Sequence, residues 1–258
     1  MVKPMPYRLI HHSIVDSSSE RAFASLESGE ARDGDVHIAR GQTAGRGQRG
    51  RGWHSAADEG LYMSLVLRPG PPIYSPAAVT IAVGLAVLEA LNDLGLAPFT
   101  ENAPRLKWPN DVMIGEAKIC GILTESRGLD PKQPHYVIGL GLNVRQRQFP
   151  QELLAERQVT SLARLGLDIS LERATEAVLG RLEGRLGQVR RDHRQLANDY
   201  LMAAKLSGKT VRVTSGKKDW IGIVHSMSLS DGLELMAADG DTQHFPLEFV
   251  QAVEQMEG

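Results

Sequence analysis

Hydrophobic and polar positions alternate along this chain in two textures, and the border between them lies near Lys205. Before that border, short apolar runs take turns with longer stretches of helical spacing. Tyr7 to Val15 predicts a strand. Ser17 to Glu27 predicts a helix, with Ala22, Phe23 and Leu26 at helical spacing behind a serine cluster able to cap it. A strand near Asp35 to Ala39 runs into a Gly/Arg loop from Gly41 to Gly52, and Leu61 to Arg68 predicts the next strand, stopped by Pro69 to Pro72. Ala77 to Leu94, rich in Ala, Val and Leu and ended by Gly95, predicts the clearest long helix. Arg105 to Trp108, Ile119 to Ser126 and Tyr136 to Leu142 predict three further strands. Leu171 to Ala204 has the pattern of one helix with Ser170 at its cap, weakened in the middle by Gly180, Gly184 and Gly187.

Beyond Lys205 the apolar stretches shorten to TVRVTS, WIGIVHSM, LELMA and QHFPLEFV, separated by SGKKD, SDG and DGD, where Gly and Asp tolerate turn conformations. The expected fold class is therefore α/β (α+β): a mixed β-sheet flanked by helices over residues 1–206, then a small C-terminal β-barrel over residues 207–258. Composition narrows this only slightly. A chain of 258 residues, 42% of them hydrophobic, can bury a substantial core. Its 29 basic and 31 acidic side chains leave a net charge of -2, which gives no global field to hold a polyanion. No segment approaches the roughly 20 apolar residues of a membrane span, and the first residues carry no signal-peptide run, so the expected location is the cytoplasm. A lone cysteine, Cys120, excludes an internal disulfide and reads as a small buried hydrophobe.

Candidate chemistry concentrates in three segments. The first is Gly45-Arg46-Gly47-Gln48-Arg49-Gly50-Arg51-Gly52-Trp53, introduced by Gln42. Its glycines let backbone approach a ligand closely, and its arginines offer forked donors suited to phosphate or carboxylate. The same composition also suits a basic linker or a tract that contacts single-stranded RNA. It is no Walker A loop, because no Gly-Lys-Ser/Thr follows, and its paper match to Gly-x-Gly-x-x-Gly lacks the helix that a dinucleotide fold needs. The second is Lys107-Trp108-Pro109-Asn110-Asp111, followed by Lys118-Ile119-Cys120-Gly121, which a hairpin-like pairing would use to bring Asp111 near Lys118. The third, Val137 to Val144, carries Gly139 and Gly141 on one strand face, so another group can pack on its backbone, with Asn143 at its end.

Together and in order, these segments resemble the biotin protein ligases, whose pattern runs Q-x-A-G-R-G-R-x-G-R-x-W, K-W-P-N-D, K-x-x-G-I-L and I-G-x-G-x-N. They stand here at residues 42–53, 107–111, 118–123 and 138–143. The resemblance implies a catalytic fold like that of class II aminoacyl-tRNA synthetases, with an SH3-like C-terminal barrel. It implies a monofunctional form, since the predicted fold starts by about Tyr7 and leaves no room for a DNA-binding domain, so no specific DNA binding is expected. It also implies an enzyme that makes biotinyl-5'-AMP from biotin and ATP, with Mg²⁺, and passes biotin to a lysine of a biotin carboxyl carrier protein or a carboxylase biotinyl domain. A homodimer is compatible with that family.

The resemblance assigns Ser17, Ser18, Ser19 and Gln42 to the polar end of biotin, and Gly45, Arg46, Gly47, Gln48, Lys118 and Gly121 to the rest of it. It assigns Arg49, Arg51, Trp53, Asn110 and Asn143 to the adenylate, Lys118, Arg46 and Asp111 to catalysis, and Asp111 to the metal. Two departures stand out. Ser17-Ser18-Ser19 replaces the usual Ser-Thr-Asn, and Gln48 replaces a common arginine, which predicts a looser grip on the adenylate. Rival readings are a lipoate or octanoate ligase and a noncatalytic Gly/Arg RNA-binding module.

Overall fold

The computed structural model describes residues 7–68, 76–97, 100, 103–127, 135–191 and 193–256, without the side chains of 190–193. The predicted stop at Pro69 to Pro72 lies outside that description.

Seven strands form one mixed sheet: β1 (Arg8–Val15), β2 (Asp35–Gln42), β3 (Gly60–Leu67), β4 (Pro104–Lys107), β5 (Asp111–Ile114), β6 (Ala117–Glu125) and β7 (Tyr136–Asn143). Their order is β1-β2-β3-β7-β6-β5-β4, with β1 and β2 parallel and every other neighbour antiparallel. β5 was not foreseen: four residues after a Trp-Pro turn give too short an apolar run to announce a strand. Between β1 and β2 lies α1 (Ser18–Glu27), which starts where the Ser17 hydroxyl accepts the Ser19 amide, a standard N-cap contact. Its Ala22, Phe23 and Leu26 pack with Val66 and Val137 on one face of the sheet.

The other face is covered by α2 (Pro76–Asp93). This helix is apolar enough by length and composition to cross a membrane, yet it is mostly buried as a core helix. A short α3 (Gln151–Glu156) precedes α4 (Leu171–Arg191), which packs along α2, and α5 (His193–Ala203). The single long helix expected over 171–204 is thus two. Gly180 and Gly184 do not break it, because α4 runs through both with open space where a Cβ would stand. Arg185 of α4 is paired with Asp199 of α5, which one straight helix would hold far apart.

Five strands follow: β8 (Thr210–Ser215), β9 (Lys218–Ser228), β10 (Gly232–Met236), β11 (Thr242–Phe245) and β12 (Val250–Gln255). They form an antiparallel sheet in the order β11-β10-β9-β8-β12. Its core residues, Val211, Val213, Val224 and Leu235 among them, join the same buried cluster as the first sheet. Trp108 bridges the two sheets: it is buried, donates Nε1–H to the Val250 carbonyl at 2.8 Å, and meets Tyr200 of α5 edge to face.

Candidate active site

Strand register decides which side chains share the face that carries α1. One row across the sheet runs Asp111, Gly121, Gly141 and Tyr62; the next runs Leu123, Gly139, Ser64 and His37. The glycines make these rows a floor without side chains. Trp53 lies directly on it, since a Cβ at Gly141 would stand 2.3 Å from the indole and one at Gly121 2.9 Å. Ser19 lies on the next row, its hydroxyl 2.9 Å from where a Gly139 Cβ would be. The glycine pair read from the sequence as a site of close approach therefore receives two groups, an indole and a serine.

The Gly/Arg segment is an ordered loop. Trp53 N–H donates to Gly45 O and Gly47 N–H to Arg51 O, while Arg49 and Gly50 turn the chain at φ 57° and 73°. Together with the floor it lines an open cleft. Two buried donors beside the cleft, Arg46 Nε and Trp53 Nε1, have no acceptor among the described residues. A ligand carrying carbonyl or anionic oxygens would satisfy such groups.

The inner end of the cleft is neutral. Gln42 Oε1 accepts the Ser18 backbone N–H at 2.8 Å and its Oγ–H at 3.1 Å, which fixes the amide so that Nε2 donates to Ser55 Oγ at 2.7 Å. Ser18 and Ser19 both reach Ser64 Oγ, at 2.8 and 2.9 Å. Ser17 is spent on the helix cap. Ser64 and Ser55 were missed from the sequence; Ser64 did leave a signal, the lone aliphatic hydroxyl in the buried strand Leu61-Tyr62-Met63-Ser64-Leu65-Val66.

The mouth is charged. Lys118 Nζ meets Asp111 Oδ1 at 2.5 Å and sits 5.2 Å from the centre of the Trp53 ring, so the proximity expected of those two residues is present. Its backbone is clamped by a segment no motif announced: Lys118 N–H donates to Gln158 O, and Thr160 N–H to Lys118 O. Arg46 is held by two carboxylates, Glu20 at 3.0 Å and Glu125 at 2.6 Å. Arg127 grips Glu20 with both guanidinium arms and lies over Phe23. Arg127 accordingly holds Glu20 well below the usual carboxylate range.

Of the residues expected here, Ser17, Ser18, Ser19, Gln42, Arg46, Gly47, Gln48, Arg51, Trp53, Asn110, Lys118 and Gly121 line the cleft. Three do not. Gly45 lies behind the loop, where a Cβ would strike Trp53 O at 2.6 Å. Arg49 points to the second sheet and donates to Gln251 O at 3.3 Å. Asn143 is buried, giving Nδ2–H to Thr160 O and receiving Gln146 at Oδ1. Its role as the structure draws it is to tie β7 to the 160–161 segment. Asp111 touches the cleft only through Lys118. Cys120 is fully buried on the α2 side, and burial pushes its thiol up, which ends any reading of it as a nucleophile.

A mixed sheet that holds a neutral, hydroxyl-lined recess at one end of a cleft and a lysine and arginine at the other defines an enzyme of the ligase class, built to meet an acid with cations. The chain belongs to the biotin/lipoate A/B protein ligase family, whose model matches residues 12–143. It is 37% identical to the biotin–acetyl-CoA-carboxylase ligase of Mycobacterium tuberculosis, over 82% of this chain and 76% of the relative. It is 30% identical to the bifunctional ligase/repressor BirA of Escherichia coli, over 88% of this chain and 68% of that protein. Among solved structures, the biotin protein ligase of Aquifex aeolicus in complex with biotin and ATP superposes with a TM-score of 0.78 at 27% identity, covering 96% of this chain and 99% of that one.

Proposed function

We infer that this chain is an ATP-dependent biotin protein ligase. The observation that carries the reading is the cleft's division into a neutral hydroxyl end and a cationic mouth, with Trp53 seated between them on Gly121 and Gly141. Biotin has the matching division: a neutral cyclic urea at one end and a carboxylate at the other. Its urea goes to Ser18, Ser19 and Gln42, which places the carboxylate by Lys118 and Arg46.

In the first step the biotin carboxylate oxygen attacks the α-phosphorus of ATP. A P–O bond to pyrophosphate breaks and biotinyl-5'-AMP forms. Two anions must meet, so the cations at the mouth supply the stabilisation, and preorganised donors act most strongly where charge develops. Lys118 is the principal one, aimed by its backbone clamp and by Asp111. Arg46 exchanges a carboxylate for substrate oxygen. Arg51, Asn110 and Trp53 form the nucleotide side. Gln48 offers the adenylate a neutral amide where a guanidinium would give a charge-assisted contact, so the intermediate leaves readily; a slow measured dissociation of biotinyl-AMP would argue against this.

In the second step the neutral amine of a lysine on a carboxylase carrier domain attacks the acyl carbon and AMP departs. An ordinary lysine, with a pKa of about 10.4, reaches the site mostly protonated, so it must shed a proton on docking. Magnesium, expected at Asp111, finds no group of three metal-binding side chains among the described residues, and that carboxylate is already paired with Lys118. The donor set does not fit an ion held by protein side chains alone.

The test is biotin-dependent release of pyrophosphate from ATP, with lipoate in place of biotin as the comparison. Release with biotin and none with lipoate is expected. Release with lipoate alone would overturn the substrate, and release with neither would overturn the enzyme.

A further inference from the structure

Ser64 has no place in any motif, yet it is the centre of the inner end. It lies on β3, fully buried, and two serines from α1 converge on its one hydroxyl. Its hydrogen-bond accounting is closed. A serine hydroxyl owns one proton, so Ser64 can donate to Ser18 or to Ser19 but not to both.

The Ser18 proton is given to Gln42 Oε1, so across the 2.8 Å contact Ser64 must donate to Ser18, and across the 2.9 Å contact it must receive from Ser19. The hydroxyl protons then run one way, from Ser19 to Ser64 to Ser18 to Gln42, and none is stranded in a buried site, which would be costly. Ser18 and Ser19 are left with lone pairs alone to offer a ligand. A cyclic urea presents the complement in its two N–H donors.

Resting on the biotin reading above, we propose that Ser64 is a specificity-determining positioning residue, which leaves Ser18 and Ser19 as a pair of acceptors for the N–H groups of the substrate's cyclic urea. The register supports it. Ser64 is paired across the sheet with Gly139, and the missing side chain there leaves the space that the Ser19 hydroxyl occupies.

The experiment measures pyrophosphate release by the full chain, wild type against Ser64→Ala and Ser64→Thr, varying biotin, desthiobiotin and ATP in turn, with melting temperature followed alongside. Desthiobiotin keeps the urea and lacks the thiophane ring. Ser64→Ala is expected to raise KM for biotin and for desthiobiotin by the same factor, about tenfold, as unpaired hydroxyls in a buried site would give. The KM for ATP and kcat should stay near wild type, and Ser64→Thr, which keeps the hydroxyl, should recover most of the loss. Equal damage to ATP KM, kcat and melting temperature would mean a purely structural serine and overturn the proposal, as would an unchanged KM for biotin. If Ser64→Ala does not fold, Ser64→Cys stands in: its weak S–H should give the same KM-only rise, and an unchanged KM again overturns the idea. Wild-type turnover of biotin with no effect at Ser64 defeats this inference alone, whereas a wild-type chain that activates lipoate and not biotin defeats the substrate reading and this inference with it.

Discussion

The two ends of the cleft are built on opposite principles. At the inner end every polar group is neutral and bonded to another neutral group: the buried Ser18, Ser19 and Ser64 to one another, the half-buried Gln42 to Ser18 and Ser55. At the mouth the two principal cations arrive with carboxylates, Lys118 with Asp111, Arg46 with Glu20 and Glu125. Neutral networks of this kind are rigid because a broken bond leaves a buried group unsatisfied. Partly exposed ion pairs contribute little, about 0–1 kcal/mol each, so they can change partners at small cost. Recognition is therefore placed where the structure is least able to adjust, and charge handling where it can be traded.

The largest break in that comparison is Lys118→Ala. Removing a preorganised donor to a developing anion lowers adenylation about 10²–10³-fold. Because the inner end is untouched, biotin binding measured by calorimetry should weaken far less than turnover. Losses of equal size in both would show that the two ends are not separable.

The next attacks the inner end through its supports. His37, beside Ser64 in the same strand row, is buried against a stacked His12, whose Nε2 lies 3.0 Å from its Nδ1, with Ser25 of α1 beyond. Burial is the main cause that lowers His37 to about 4, with His12 adding to it and Asp35 opposing. The unfolded chain, with an ordinary histidine near 6.5, takes up this proton first. Stability contributed by neutral His37 is thus full above about pH 6.5 and declines as pH falls toward 4, by about 2 kcal/mol. Carboxylates titrate in part of the same window, so the reading is a difference: urea midpoints at pH 7 and 4.5 for wild type and His37→Gln. The variant's midpoint should fall less on acidification; parallel falls would remove His37 from the account.

Much of this was legible beforehand, and the parts that were not have physical reasons. The Gly/Arg loop, the Asp111–Lys118 contact and the close approach on Gly139 and Gly141 follow from residue types whose constraints are local: glycine's missing Cβ, a turn at Trp108-Pro109, alternation along a strand. Ser64, Glu20 and Glu125 matter only through what the sheet and α1 bring beside them, and such partners are invisible in one dimension. Arg49 and Asn143 show the converse: their side chains suit a nucleotide, and the partners they take here, Gln251 and Thr160, lie more than a strand away in sequence. The division of 171–204 into α4 and α5 escaped because the glycines in view face open space and carry no packing consequence.

The smallest effect belongs to Glu125, and it tests whether the charged mouth is traded or fixed. Glu125→Gln keeps the shape and a hydrogen-bond acceptor at the position that holds Arg46 at 2.6 Å, and removes only the charge. Arg46 keeps Glu20, and Glu20 keeps Arg127, so the loop stays anchored. If Glu125 competes with the substrate anion for Arg46, the variant should bind that anion more tightly, with KM for ATP or biotin falling about two- to fivefold, the scale of one half-exposed pair. The advantage should shrink as salt rises, because screening weakens the competitor in the wild type as well. A rise in KM instead would mean that Glu125 holds Arg46 in the posture the ligand needs, and the mouth would then share the fixed character of the inner end.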